Sequence, residues 1–201
     1  MPNNRLVIIG CGGHAKSVLD VVLYNDPSTK VVFVDKNAKD GETIFGCPVL
    51  SDYKITDEEV FVAIGENKER KEEAEKHKNL ISIVSKLAYI GSGVNIGKGV
   101  FVAHNAHVGI LSQIDNYSII NTNASVDHEC ELGEASSLAP NTTLCGKVKI
   151  GKNVFIGAGA SIIDKLIICD NVVIGAGAVV TENIEEPGLY VGIPAKRNVS
   201  E

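Results

Sequence analysis

From Ile90 to Val180 every sixth residue is a large aliphatic. The row runs Ile90, Ile96, Val102, Val108, Ile114, Ile120, Val126, Leu132, Leu138, Leu144, Ile150, Ile156, Ile162, Ile168, Ile174, Val180, sixteen positions without an exception. With roughly a third of residues large aliphatics, chance gives such a row on the order of once in 10⁷ or less. The next residue is often small, as at Gly91, Gly97, Ala103, Gly109, Gly133, Gly151, Gly157 and Gly175. Four past the aliphatic the chain is again small or apolar, as at Val94, Val100, Ala106, Ala124, Cys130, Val148, Val154, Ala160, Val172 and Ala178. A period of six is neither the helical 3.6 nor the strand period of 2. It predicts a parallel β-helix, in which each hexad is a short strand plus a corner and three hexads close a triangular coil. The aliphatic points inward and stacks on the one eighteen residues later. Glycine is expected to tolerate the corner's backbone. By itself this row says only solenoid, a geometry that plain scaffolds share with enzymes.

The first 85 residues follow another pattern. Leu6–Gly10 is a continuous apolar run, and Ala15–Leu23 has helical spacing. Lys30–Asp35, Val60–Gly65 and Leu80–Val84 read as further strands, and Asn67–Lys78 as a charged helix with a solvated face, with Arg70 the residue to watch. This alternation predicts a small α/β domain opening with a Rossmann-like βαβ unit. The expected division is residues 1–85 and residues 86–201. Gly10-Cys11-Gly12-Gly13 falls at a strand-to-helix junction. There, backbone N–H groups and a helix N-terminus can face a phosphate, or the glycines can simply make a tight turn. Asp35 ends the second strand about 20 residues on, where Rossmann-type domains read a ribose. Asp35-Lys36 is open to a nucleobase or sugar role as well.

Composition agrees with an aliphatic interior: aromatics are 5% and tryptophan is absent, against 20 glycines in 201 residues. The net charge of −6, without a Lys/Arg cluster, argues against nucleic acid. No apolar run approaches the roughly 20 residues of a membrane span. The opening MPNNRLVIIGCGG lacks a cleavage-site pattern and reads as a first strand. Five scattered cysteines, none in a CxxC pair, read as reduced thiols of a cytoplasmic protein.

Four segments now stand together: GCGGHAK, the hexads, IINTNASVDHECELG (residues 119–133) and VGIPAK (residues 191–196). In combination they resemble the bacterial sugar acetyltransferases of the sialic acid O-acetyltransferase and bacillosamine-pathway N-acetyltransferase group. The resemblance covers essentially the whole chain. It implies a left-handed β-helix, a homotrimer and acetyl-CoA lying between two solenoids. It implies transfer to the 4-amino group of a UDP-linked amino-dideoxy sugar, with O-acetylation of a sialic acid as the alternative and a non-catalytic sugar-binding solenoid as the remote one. The implied substrate contacts fall on Gly12, Gly13 and His14 (phosphate side), Asp35 and Lys36 (uridine end) and Gly65. The implied base is His128, with Glu129 as its partner. The implied cofactor contacts are Gly146, through an amide near the thioester oxygen, and Ala158 and Ala176 along the solenoid. Where the bacillosamine-type enzymes carry a second, cofactor-contacting histidine, this chain has Ser137, which can donate one hydrogen bond but carries no charge. The chemistry is coherent, since an amine or hydroxyl attacking a thioester must lose a proton and histidine accepts one near neutral pH.

The remaining candidates are weaker. His104 and His107 form an HxxH, but their spacings to His128 are respectively six and three residues out of an eighteen-residue register, so no metal is expected. His77 reads as surface, His14 has a plain reading as a helix-start residue, and Cys130 and Cys145 read as packing.

Overall fold

A computed structural model describes residues 5–198. Five strands and two helices precede the solenoid, β1 (Arg5–Ile9), α1 (Gly13–Asn25), β2 (Lys30–Val34), β3 (Thr43–Ile44), β4 (Cys47–Leu50), β5 (Glu59–Val62) and α2 (Asn67–Ala74), and β6 (Ile83–Val84) opens it. The α/β sheet has the order β3-β4-β2-β1-β5, parallel except for the β3–β4 hairpin. The hairpin escaped the sequence reading; its turn places Phe45 (φ 48°) and Gly46 (φ 78°) in the left-handed region.

The solenoid has three faces of parallel two-residue strands. Face one stacks Tyr89–Ile90, His107–Val108, Ser125–Val126, Thr143–Leu144, Ser161–Ile162 and Val179–Val180. Face two stacks Asn95–Ile96, Gln113–Ile114, Glu131–Leu132, Lys149–Ile150 and Ile167–Ile168. Face three stacks β6, Phe101–Val102, Ile119–Ile120, Ser137–Leu138, Phe155–Ile156 and Val172–Ile174, then continues into Gly188–Val191 and Lys196–Arg197. Every pairing within the hexads joins residues eighteen apart, as at Ile120↔Leu138 and Leu138↔Ile156. The result is the parallel β-helix that the period predicts, of the left-handed hexapeptide type that the resemblance implies. Its interior is one cluster of the inward aliphatics. Buried serines add polar ties between coils: the hydroxyls of Ser118 and Ser136 donate to the carbonyls of Gly133 (3.1 Å) and Gly151 (2.8 Å).

Two expectations need correction. Leu80–Val84 is not a fourth strand of the α/β sheet. Leu80 makes only a bridge to Val60, while Ile83–Val84 pairs with Phe101–Val102 and begins the solenoid. Val84 therefore extends the hexad row by one. The corner glycines also divide into two kinds. A Cβ on Gly91, Gly109 or Gly157 would sit 2.5–2.7 Å from backbone of the next coil, so these positions need the absence of a side chain for close approach. The left-handed turn instead falls two residues later, at Asn105, Asn123, Glu129, Asn141 and their equivalents. Asparagine serves there because its short polar chain tolerates that region.

The two halves share a core. Phe101 and Ile119, on the outside of face three, are buried against Leu6, Ile8, Phe33 and Phe61 of the α/β domain. Leu138, wholly buried between Ile120 and Ile156, has no room to collapse around a void. Leu138→Ala is expected to cost about 2–5 kcal/mol, read as a lower denaturation midpoint.

Candidate active site

The carboxyl ends of β1, β2 and β5 lie side by side at the edge of the sheet, which is where open α/β sheets bind ligands. Gly12, Gly13 and Gly65 are exposed there. None has a positive φ, and a Cβ at any of them would meet nothing within 4 Å. The fold itself does not require glycine at these positions. Gly12 caps α1 without a side-chain partner, and the first turn holds no acidic residue. On the far side of the turn, the Asp35 carboxylate accepts from the N–H groups of Cys11 (3.1 Å) and Asn37 (2.9 Å). The Asn37 bond leads in holding its pKa below the usual carboxylate range, against the opposing effect of burial. Lys36 is exposed beside it.

A cleft of about 350 Å³ runs from Gly13, His14, Ser17 and Gly65 across the floor of Ile119 and Ser137 to Asn121 and Pro140. A second cleft of about 360 Å³ adjoins it at Gly65 and Phe155. The His14 ring stands edge-on to Phe101, with centroids 5.1 Å apart, and its Nε2 is buried without a partner among the described residues. Burial, helped by the nearby Arg70 charge, pushes its pKa down to about 4. The unfolded ring takes its proton near 6.5 and the folded ring near 4, so the unfolded state holds more protons between them. Stability is therefore complete above about pH 6.5 and falls as the pH drops toward 4, by on the order of 3 kcal/mol. His14→Asn is expected to flatten this acid limb in melts taken from pH 7 to 4; a limb of unchanged slope would assign it to other groups.

Arg70 is not on a solvated face. It is 1% exposed and ties α2 and the Gly65 turn to the solenoid. Ser137 also departs from expectation. It lines the cleft, but its hydroxyl donates to Asn67 Oδ1 (2.6 Å) and accepts from Arg70 Nη2 (3.0 Å). The proton it was expected to offer a cofactor is already used, because docking of α2 on face three brings Asn67 over it.

The corner between faces three and one continues from the cleft. Pro140, Ala158 and Ala176 follow at intervals of eighteen, so they stack about 4.8 Å apart. Ala158 and Ala176 are exposed, and a Cβ on the adjoining Gly159 or Gly177 would meet nothing within 4 Å. This line is a smooth track beside the cleft mouth.

His128, Glu129 and Gly146 occupy a different corner, between faces one and two. His128 Nδ1 lies 3.1 Å from Glu129 Oε1, and Lys147 Nζ lies 3.6 Å from the same oxygen. The carboxylate thus fixes the tautomer with the proton on Nδ1 and leaves Nε2 as an acceptor. Glu129 reaches this position from the left-handed corner residue, φ 58°. Gly146, one coil below, is buried under the ring: a Cβ there would stand 2.4 Å from His128 Nε2. Within one chain the His128 corner and the cleft are separated by the whole of face one.

The other histidines have structural partners. His104 lies 2.7 Å from Ser85 Oγ through Nδ1 and 3.4 Å from Asp20 through Nε2, joining α1 to the solenoid. His107 stacks on Tyr89 at 4.9 Å. His77 is half-buried against Glu73 rather than free at the surface. Among the described residues, no three His, Cys, Asp or Glu side chains are grouped to hold a metal, and no helix is long and apolar enough to cross a membrane.

The family model for the PglD N-terminal domain matches residues 5–77, and that for the bacterial transferase hexapeptide (six repeats) matches residues 147–182. Among solved structures, the acetyltransferase domain of PglB from Neisseria gonorrhoeae FA1090 is 28% identical, covering 98% of this chain and 100% of that one, with a TM-score of 0.91. Its complex with acetyl coenzyme A matches equally well, with a TM-score of 0.91. A histidine-to-alanine variant of GDP-perosamine N-acetyl transferase from Caulobacter crescentus, in complex with CoA and GDP-perosamine, is 32% identical over 98% of both chains, TM-score 0.91. Uncharacterized protein L142 of Acanthamoeba polyphaga mimivirus is 35% identical over 119 residues; the match spans 24% of that curated relative's length. With matched domains at both ends and a third of its residues shared with a sugar N-acetyltransferase along its whole length, the chain belongs to the hexapeptide-repeat sugar N-acetyltransferases and is an acyltransferase.

Proposed function

We propose that the chain transfers an acetyl group from acetyl-CoA to the 4-amino group of a UDP-linked amino-dideoxy sugar, with His128 as general base. The observation that carries this reading is the convergence of three glycines the fold does not need, Gly12, Gly13 and Gly65, on one edge of the sheet. Glycine there lets a diphosphate approach backbone N–H groups at the start of α1. Asp35 and Lys36 stand where the nucleoside end would lie. The Ala158–Ala176 track suits an extended pantetheine arm. A GDP-linked sugar is the second reading, favoured by the Caulobacter relative's GDP-perosamine complex.

In the reaction His128 Nε2 takes the proton of the attacking amine as its nitrogen bonds to the thioester carbon. The carbonyl oxygen gathers charge, and the backbone N–H of Gly146 serves as its donor. Collapse breaks the carbon–sulfur bond, and the proton leaves with the CoA thiol. Glu129 steadies the imidazolium while it exists.

Because base and cleft lie on different corners, the site is completed by a second subunit. The outward row of face one is small and uncharged at Ser125, Thr143, Ser161 and Val179, whereas face two presents the Lys149–Glu131 ion pair (2.8 Å) to solvent. Three copies joined through face one around a threefold axis bring one protomer's His128 corner against its neighbour's Ala158 corner. Five free thiols suit a cytoplasmic enzyme.

The test is release of CoA thiol with UDP- and GDP-linked 4-amino sugars and with free sialic acid. Turnover with a nucleotide amino sugar supports the proposal; turnover with sialic acid alone overturns it. The shared site is read by mixing two inactive variants, His128→Ala and Gly13→Val. Activity reappearing in the mixed oligomer is the expected outcome, and a monomer by light scattering would exclude it.

A further inference from the structure

The Arg70 guanidinium lies directly behind the cleft wall. It donates to the carbonyls of Tyr117 (2.7 Å), Ile64 (3.1 Å), Gly65 (3.0 Å) and Ala135 (3.2 Å), to Asn67 Oδ1 (2.8 Å) and to Ser137 Oγ (3.0 Å). Every one of these acceptors is neutral. Among the described residues no carboxylate forms an ion pair with it; Glu66 acts on it only from a distance, its own carboxylate accepting from the Glu69 N–H (2.6 Å). A buried charge without an ionised partner is costly, even when all its donors are satisfied. Holding carbonyls needs donors, not charge.

Two partners of the Arg70 charge open onto the cleft. Gly65 and Ser137 are at once its partners and lining residues of the cleft. His14, another lining residue, already feels it. No Lys or Arg lines the cleft itself. Lys16 and Lys36 are exposed, where water and salt screen them. We propose that Arg70 is a positioning residue whose buried charge holds the diphosphate of a nucleotide-sugar in the cleft without touching it, the bound diphosphate serving as the counter-ion that the protein omits. This rests on the nucleotide-sugar reading above.

Calorimetric titration of the full chain with UDP and uridine, and with GDP and guanosine, tests it. Arg70→Gln is expected to weaken the diphosphate about tenfold or more, while the matching nucleoside changes by less than about threefold. Arg70→Lys, which keeps the charge and loses the fork, is expected to hold the diphosphate within about threefold of the wild type. Equal losses for nucleotide and nucleoside in Arg70→Gln would make Arg70 a structural clamp and overturn the proposal. Should Arg70→Gln not fold, a folded Arg70→Lys that loses the diphosphate about tenfold overturns it equally. If the wild type binds neither diphosphate, the nucleotide reading falls along with this one. Diphosphate binding by the wild type with equal losses in the variant sinks the Arg70 proposal alone.

Discussion

Replacing His128 by alanine is expected to lower kcat by about 10²–10⁴-fold, the usual worth of a positioned general base. The loss should fall on kcat and leave the melting temperature alone. His128 sits on a corner with its side chain 46% exposed, and the interior ladder beneath it is built from Val126 and Cys130 instead. No other histidine replaces it. His104 is committed to Ser85 and Asp20, and His14 belongs to the cleft on another corner. Glu129→Gln is expected to cost less, because the amide can still accept from Nδ1–H while its charge is lost. Thiol release under saturating co-substrates measures both. A His128→Ala enzyme turning over at the wild-type rate would remove the base assignment and leave the fold assignment standing.

Much of the fold was legible because the solenoid is a one-dimensional object. Its register repeats along the chain, so the inward residues and the eighteen-residue stacking could be read from spacing. The stacking of Ala158 on Ala176 is itself such a spacing. What was not legible arises where the two halves meet. Lys68–Lys78 looks uniformly hydrophilic, and nothing local says that Arg70 is swallowed when α2 docks on face three. Ser137 illustrates the same point: its outward position was readable, its partners Asn67 and Arg70 were not. Leu80–Val84 read as one strand because the chain passes from one sheet to another without a turn signal. The division between cleft corner and base corner was implicit in the register, since residues 128 and 146 fall one hexad out of step with 140, 158 and 176. Only the described triangle turns that offset into two different edges.

Gly146→Ala is expected to lower turnover by on the order of 10²-fold, approaching the loss of the histidine itself. The added Cβ would stand 2.4 Å from His128 Nε2 and 2.7 Å from Cε1, a separation real side chains do not tolerate. The three atoms nearest to it all belong to the imidazole, which is the mobile end of an exposed side chain. The ring therefore swings away and the backbone stays, so the melting temperature should hold while the Nδ1–Glu129 bond and the aim of Nε2 are lost. Gly146 has no positive φ, so no backbone strain confuses the result. The double variant separates this from any effect on a thioester-facing amide. If alanine acts only by displacing the ring, His128→Ala with Gly146→Ala is no slower than His128→Ala alone, because residues acting as one unit are not additive. A further loss in the double variant would mean that the added methyl does harm of its own, by obstructing the approach of the thioester oxygen to the Gly146 N–H.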